Sequence, residues 1–305
     1  FLKHWKLKSN YDLMIVGFLG QQIVPFARII TSKPIIFDAF LSLYDSNVFD
    51  RKTVKSGSIK SKYYWFLDWL SMKLADAVLF DTNEDIDYAA KEFGIPRNKF
   101  RRIFVGTDEK IFYPKERQND FVFIVHFHGT FIPLQGIDCI IKAAKLLEKE
   151  KIRFNVIGDG QTYHEIKKLT SELEINNVDF INRVAYARLP EYINKGDVCL
   201  GIFGQTPKSR RVVPNKVYEY AAMRRPIITA DTPAVRELFD ETDMLLVRPN
   251  PEDLALGILK LKNSLELRES LADNAYNKIK KLAVPEVLGG QLKKIADELQ
   301  QSSRL

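Results

Sequence analysis

Short apolar runs alternate along most of the chain with stretches whose apolar positions recur every third or fourth residue. DLMIVGF (12–18) is followed by a helical stretch to Ile30, and KPIIFDAF (33–40) by a polar and aromatic region with a helix from about Lys62 to Ala75. DAVLFDT (76–82), a helix near 84–93 and KFRRIFVGTD (99–108) complete this half. Runs of this length bounded by turn residues read as buried strands, and strands alternating with helices predict a parallel sheet with right-handed crossovers.

The polar segment YPKERQND (113–120) reads as an interdomain linker. A more regular series follows: strand FVFIVHFHGT, helix GIDCIIKAAKLLEKE, strand IRFNVIGDG, helix TYHEIKKLTSEL, strand NVDFINRV, short helix RLPEYINKG and strand DVCLGIFG. VVPNKVYEYAAMRRPIITAD (212–231) supplies a helix and a strand. MLLVRP, helices from Pro251 to about Lys281 and a last helix PEVLGGQLKKIADELQ end the chain. The expected fold class is α/β, as two Rossmann-like halves with the first incomplete. The expected domains are 1–116, 117–284, and a terminal helix over 285–305 packing back toward the first.

The 305 residues are 46% hydrophobic, ample for two cores, and no apolar run approaches the ~18 residues of a spanning helix. Cys139 and Cys199 lie far apart in apolar surroundings, which is cytosolic usage without a disulfide framework or zinc spacing. Phe1 is followed by no signal-peptide pattern, so the chain reads as starting in mid-domain. The net charge of +7 is compatible with nucleic acid, an anionic membrane, a phosphorylated ligand or a plain solvated surface.

Ligands of open α/β sheets bind beyond the carboxyl ends of the strands, so those ends carry the candidate chemistry. FHGTFIPLQG places Gly129 after a strand and Gly136 at a helix start, where phosphate can approach the backbone; an ordinary βα loop has the same form. IGDG (Gly158, Asp159, Gly160) is a second such turn and lacks the full dinucleotide fingerprint. Arg183 and Val184 end a strand where backbone could meet a base edge, or simply turn. At KSRRVVPNKVYEYAAM, Pro214 and Asn215 suit a helix start, with Asn215 as a cap, and Lys208, Arg210, Arg211 and Lys216 crowd that end. Cations at a helix N-terminus attract a diphosphate. Glu219 shares a face with Asn215 and Lys216, and its carboxylate can take two hydrogen bonds from a vicinal diol or pair with a neighbouring cation.

Together these motifs resemble the retaining glycosyltransferases of family 4, with the GT-B fold, over most of the chain. FHGTFIPLQGIDCIIKAAKLL is similar to the family's glycine loop and first donor-domain helix, NVIGDG to its second glycine turn, FINRVAYARLPEYINKGDVCL to its base-holding stretch, and PNKVYEYAAMRRPIIT to its signature helix and supporting strand. ADAVLFDT and IFVGTDEKIFYP resemble the last segments before its linker. The resemblance implies two facing domains and a nucleotide-diphosphate sugar held mainly by the second. Glu219 matches the second glutamate of the E-x7-E pair and is expected on the ribose, the backbone at Arg183–Val184 on the base, and the Gly129 loop and the start of the 214 helix on the diphosphate.

The chain departs from the pattern at Arg211, where the family has its first glutamate, and at Thr130 and Gln135, where it has Arg and Lys. Phosphate contacts are therefore expected to pass to Lys208, Arg210, Arg211 or Lys216. The usual first-domain histidine is absent, and DAFLSLYDS offers Asp38, Ser42 and Asp45 instead. The expected reaction is metal-independent transfer with retention and without a side-chain nucleophile or cofactor. Arg211 and Lys216 would meet the leaving charge, Asp38 would accept the proton, and Gly20, Ser42 and Asp45 would lie on the acceptor side.

A polysaccharide or glycolipid role would fit the basic, then aromatic segment 51–70, which suits an anionic leaflet or a plain packed helix. The expected location is cytoplasmic, with peripheral contact at the inner membrane face as the stronger form of that reading. Two rivals share the fold: a non-catalytic nucleotide-sugar-binding protein, and a nucleotide-sugar 2-epimerase, for which His126, His128 and His164 are not evidently placed. No base-stacking motif points to nucleic acid.

Overall fold

A computed structural model describes residues 10–116 and 122–302. The chain start at Phe1, the second half of the expected linker, the expected 116/117 boundary and Phe121 lie outside the described residues. Two compact units are present, one running to Phe104 and taking in the chain from Glu286, the other spanning Val105–Pro285.

The first unit is built from β1 (Met14–Val16), α1 (Ile23–Ile30), β2 (Ile35–Asp38), α2 (Ile59–Leu74), β3 (Ala77–Phe80), α3 (Asn83–Phe93) and β4 (Phe100–Arg102). The four strands are parallel in the order β1-β2-β3-β4. Ile35, Ile36 and Phe37 are fully buried, as expected of a strand covered on both faces. Ser58 and Thr82 start α2 and α3 by accepting from Ser61 N and Asp85 N, and Gly94 stops α3 at φ 63°. The strand expected over 99–108 is only three residues long; a few residues on, Gly106 has φ 69°.

The second unit runs β5 (Phe123–His128), α4 (Ile137–Leu146), β6 (Ile152–Ile157), α5 (Tyr163–Glu172), β7 (Val178–Ile181), α6 (Leu189–Ile193), β8 (Val198–Leu200), α7 (Asn215–Ala222), β9 (Ile227–Ala230), α8 (Pro233–Arg236), β10 (Leu245–Val247), α9 (Pro251–Lys262) and α10 (Leu265–Leu282). Its parallel sheet has the order β10-β9-β8-β5-β6-β7. The order reverses between β5 and β8, which makes the carboxyl end of β5 the topological switch point where this architecture leaves a crevice. Val125 and Phe127 of β5 enter the main core with Phe154, Ile140 and Leu200. Period-two geometry sends His126 and His128 to the opposite face.

The last helix, α11 (Pro285–Ser302), belongs to the first unit, where Ile295 clusters with Ile36, Ala77 and Leu79. No helix among the described residues is long and apolar enough to cross a membrane.

Candidate functional site

The loops after β5, β6 and β7 are laced together by backbone hydrogen bonds. Gly129 N donates to Ile157 O, Gly158 N to Ile181 O and Phe131 N to Asp159 O, each at 3.0 Å. Gly158 has φ 139°, and a Cβ on it would lie 2.0 Å from Gly129 O; Gly160 has φ 151°, with a Cβ 2.8 Å from the Phe131 backbone. The IGDG glycines therefore serve the contact between two loops, as a tight turn between strand and helix requires. Asp159 Oδ1 accepts from Gly160 N at 2.7 Å, closing the turn on itself. Gly136 is likewise a packing glycine, since a Cβ there would meet Phe203 C at 2.3 Å.

These loops enclose a cavity of about 390 Å³. Of the expected donor-binding residues, Gly129, Thr130, Gly158, Arg183 and Val184 line it; His128, Ile157, Tyr186 and Leu189 line it too and were not anticipated. Tyr186 packs edge-on against Phe112, with centroids 5.1 Å apart. Burial, and then the charge of Glu219, push its phenol up to about 12.

Glu219 is buried on α7, and its Oε2 lies 2.8 Å from His128 Nε2. His128 Nδ1 in turn lies 3.0 Å from His126 Nε2 and 3.2 Å from the Tyr220 hydroxyl. Burial holds both histidines below their ordinary pKa; the neighbouring Glu219 opposes the shift at His128, and the charge of His128 adds to it at His126. The sequence signal was available: two histidines two apart at a strand end must share a face.

Lys216, one turn before Glu219, is also buried. Its ammonium donates to Gln135 Oε1, lies 3.9 Å from the centre of the Phe127 ring, and stands 2.8 Å from where a Cβ of Gly129 would be. Burial drives its pKa well below the usual lysine value, against the pull of Glu219. The other expected cations do not share this place. Lys208 is buried in a turn over 208–210, Arg210 is exposed, and Arg211 Nη1 donates to Pro207 O at 3.1 Å. Pro214, not Asn215, is the N-cap of α7, and no side chain caps its first N–H groups; Asn215 is an exposed first-turn residue. The cap reading of Asn215 is thus corrected: proline presets the turn, and the asparagine follows it.

In the first unit, Asp38 ends β2 half-buried, with its carboxyl raised by burial. Gly20 is buried, and a Cβ there would strike Val16 Cγ1 at 2.4 Å. Ser42 does not face an acceptor. It donates to Asp68 Oδ2 at 2.7 Å and accepts from Asp45 N at 3.0 Å, and both Ser42 and Asp45 are buried. These two acceptor-side readings are corrected because the loop after β2 folds onto α2. Asp68 also accepts from Leu43 N at 3.1 Å and Tyr44 N at 2.8 Å. The same loop carries Phe40 at φ 55°, strained for a non-glycine residue.

Two parallel-sheet α/β units, with a cavity at the switch point of the second, define a protein of the GT-B class. Residues 108–278, more than half of the chain, match the family model for glycosyl transferases group 1, and the chain belongs to that family. An uncharacterized glycosyltransferase of Methanocaldococcus jannaschii is 25% identical over 205 residues, covering 67% of this chain and 55% of that protein. The chain spans about half the length of the curated relatives it matches. Among solved structures, sucrose-phosphate synthase from Thermosynechococcus elongatus superposes with a TM-score of 0.79 at 17% identity, covering 99% of this chain and 77% of that one. Anabaena HepE in complex with UDP-glucose superposes with a TM-score of 0.75 at 15% identity, covering 97% and 81%. At these identities the superpositions speak for the fold.

Proposed function

We propose that this chain binds a nucleotide-diphosphate sugar in the cavity beyond β5–β7 and transfers the sugar to an acceptor hydroxyl with retention, as in the family 4 enzymes. The observation that carries the reading is the Lys216 ammonium, which leaves α7 to enter the Gly129 loop. The loop's own positions 130 and 135 are uncharged, and Lys216 supplies the cation there from another element. With the uncapped N–H groups of α7 it can meet the leaving diphosphate, so charge stabilisation needs no metal in this reading. Arg183 and Val184 would border the base and Glu219 would take the ribose. HepE, solved with UDP-glucose, makes a uridine donor the first to try.

Asp38 is the proposed proton acceptor, because it is the carboxylate at the end of β2. A polysaccharide or glycolipid acceptor at an anionic membrane is proposed from the exposed residues of α2, where Ile59, Tyr63 and Phe66 stand beside Lys60 and Lys62.

Thermal-shift measurement against a panel of nucleotide sugars tests the donor reading, because a ligand of the native state raises the melting temperature by mass action. One donor should stabilise the protein, and Glu219→Ala should abolish most of that shift. A panel without any stabilising member would refute the proposed function. Product formation with the stabilising donor then separates a transferase from a binding protein, and recovery of a C2-epimer would favour the epimerase.

A further inference from the structure

We propose that His128 is a positioning residue for the donor: its Nε2–H holds one oxygen of the Glu219 carboxylate, which also has the Tyr186 hydroxyl as a hydrogen-bond partner, and so orients that carboxylate toward a ribose hydroxyl. The inference rests on the ribose reading of Glu219 given above. It adds a residue at the end of β5, 91 positions from Glu219 in sequence.

Hydrogen-bond chemistry puts a proton on Nε2. An ionised carboxylate only accepts, so the His128 nitrogen 2.8 Å from Glu219 Oε2 must carry a proton. In a neutral ring, Nδ1 is then bare and must accept. Either neighbour can donate to it: His126 Nε2 at 3.0 Å or the Tyr220 hydroxyl at 3.2 Å. The Tyr220 oxygen also faces the His128 backbone N–H at 3.4 Å, which fixes the phenol from the other side. A proton on Nδ1 alone would instead aim a bare Nε2 at the carboxylate, lone pair against lone pair. Every member of this chain is buried, where that repulsion is poorly screened, and the outer nitrogen of His126, Nδ1, has no hydrogen-bond partner among the described residues. The shifts support the same state, because burial lowers the pKa of both histidines and keeps the rings neutral.

His128 also lines the cavity, so direct contact with the nucleotide is the competing explanation. The two separate in a ligand comparison. Dissociation constants are measured for UDP, GDP and ADP, and for the 2′-deoxy and 3′-deoxy forms of whichever binds. The wild type should lose about tenfold in affinity when the hydroxyl facing Glu219 is removed, one charge-assisted hydrogen bond. His128→Leu should bring that ratio close to one. His128→Gln, whose amide nitrogen reaches the Nε2 position, should keep it, and His128→Asn, which is too short, should lose it. If His128→Leu does not fold, the Gln and Asn pair decides alone.

A ratio unchanged in the variants that lack the donor would overturn the proposal, even if overall affinity fell. A ratio unchanged in Glu219→Ala would overturn the ribose assignment beneath it. A wild type that binds none of the three diphosphates would remove the proposed function, and this inference with it.

Discussion

The ammonium of Lys216 lies 3.9 Å from the centre of the Phe127 ring while donating to the side chain of Gln135. A buried cation held by an aromatic face and an amide, with no carboxylate among its hydrogen-bond partners in the described residues, is costly unless it meets an anion. Lys216→Met should therefore weaken nucleoside-diphosphate binding by about ten- to a hundredfold, as expected for loss of a charge-assisted contact, while leaving the melting temperature equal or higher. Its pKa is depressed on folding, so the native state binds fewer protons than the unfolded state between the depressed value and 10.5. Stability should rise with pH through that window, and the methionine variant should lack that part of the slope. Calorimetric melts of both proteins across the alkaline range check this; parallel curves would mean that folding does not depress the pKa of Lys216.

Two glycines should respond oppositely to alanine. A Cβ on Gly158 would sit 2.0 Å from Gly129 O at a φ of 139°, so Gly158→Ala must pull two loops apart and should cost about 2 kcal/mol or more. Gly289 lies inside α11 with nothing within 4 Å of its would-be Cβ. Gly289→Ala should stabilise by about 0.5–1 kcal/mol through helix propensity and reduced unfolded-state entropy. Denaturant melts compare the two, and a destabilising Gly289→Ala would contradict the open surroundings assigned to it.

The alternation of apolar runs and helical periods made both parallel sheets legible, because strands buried on two faces read as continuous apolar segments. The helix at 215–222 and its supporting strand were legible for the same reason. What the sequence concealed depends on contacts between distant residues. Gly160 looks like a phosphate glycine until Phe131 of another loop is seen against it. Ser42 looks like an exposed loop hydroxyl until α2 brings Asp68 to it. His128 and Glu219 sit on a strand and a helix whose pairing no local pattern encodes, although the shared face of His126 and His128 hinted at a joint role.

Asp68 should leave a pH signature. Burial pushes its carboxyl up to about 6, against the hydrogen bonds from Tyr44 N, Ser42 and Leu43 N. A raised folded-state value means that the native form binds more protons than the unfolded form between 3.8 and about 6. The contribution to stability is thus fully present below 3.8 and lost as pH rises through about 6. At about 1.4 kcal/mol per pKa unit the loss is on the order of 3 kcal/mol. Asp68→Asn should flatten this component while loosening the loop at Leu43 and Tyr44, which lose an acceptor. Comparing unfolding free energies of the two proteins from pH 4 to pH 7 tests it; a constant difference would show that Asp68 does not titrate there.

The outer face of α2 makes the membrane reading testable without disturbing the core. Ile59 is 89% exposed, and Tyr63 and Phe66 are each 47% exposed, at i, i+4 and i+7 of one helix. Lys60 and Lys62 are exposed next to them. Apolar residues able to enter the headgroup region, flanked by cations, favour an anionic leaflet, and the electrostatic part should weaken with salt. Flotation with phosphatidylserine-containing vesicles should recover the protein at low salt and less of it at high salt, and pure phosphatidylcholine should recover little. Ile59→Ser should reduce recovery at unchanged melting temperature, because that side chain is 89% exposed, and adding Phe66→Ser should reduce it further at some cost in stability, because the Phe66 ring packs on Trp69. Equal recovery of the Ile59→Ser and double variants, or no recovery of the wild type on anionic vesicles, would assign this face to something other than a membrane.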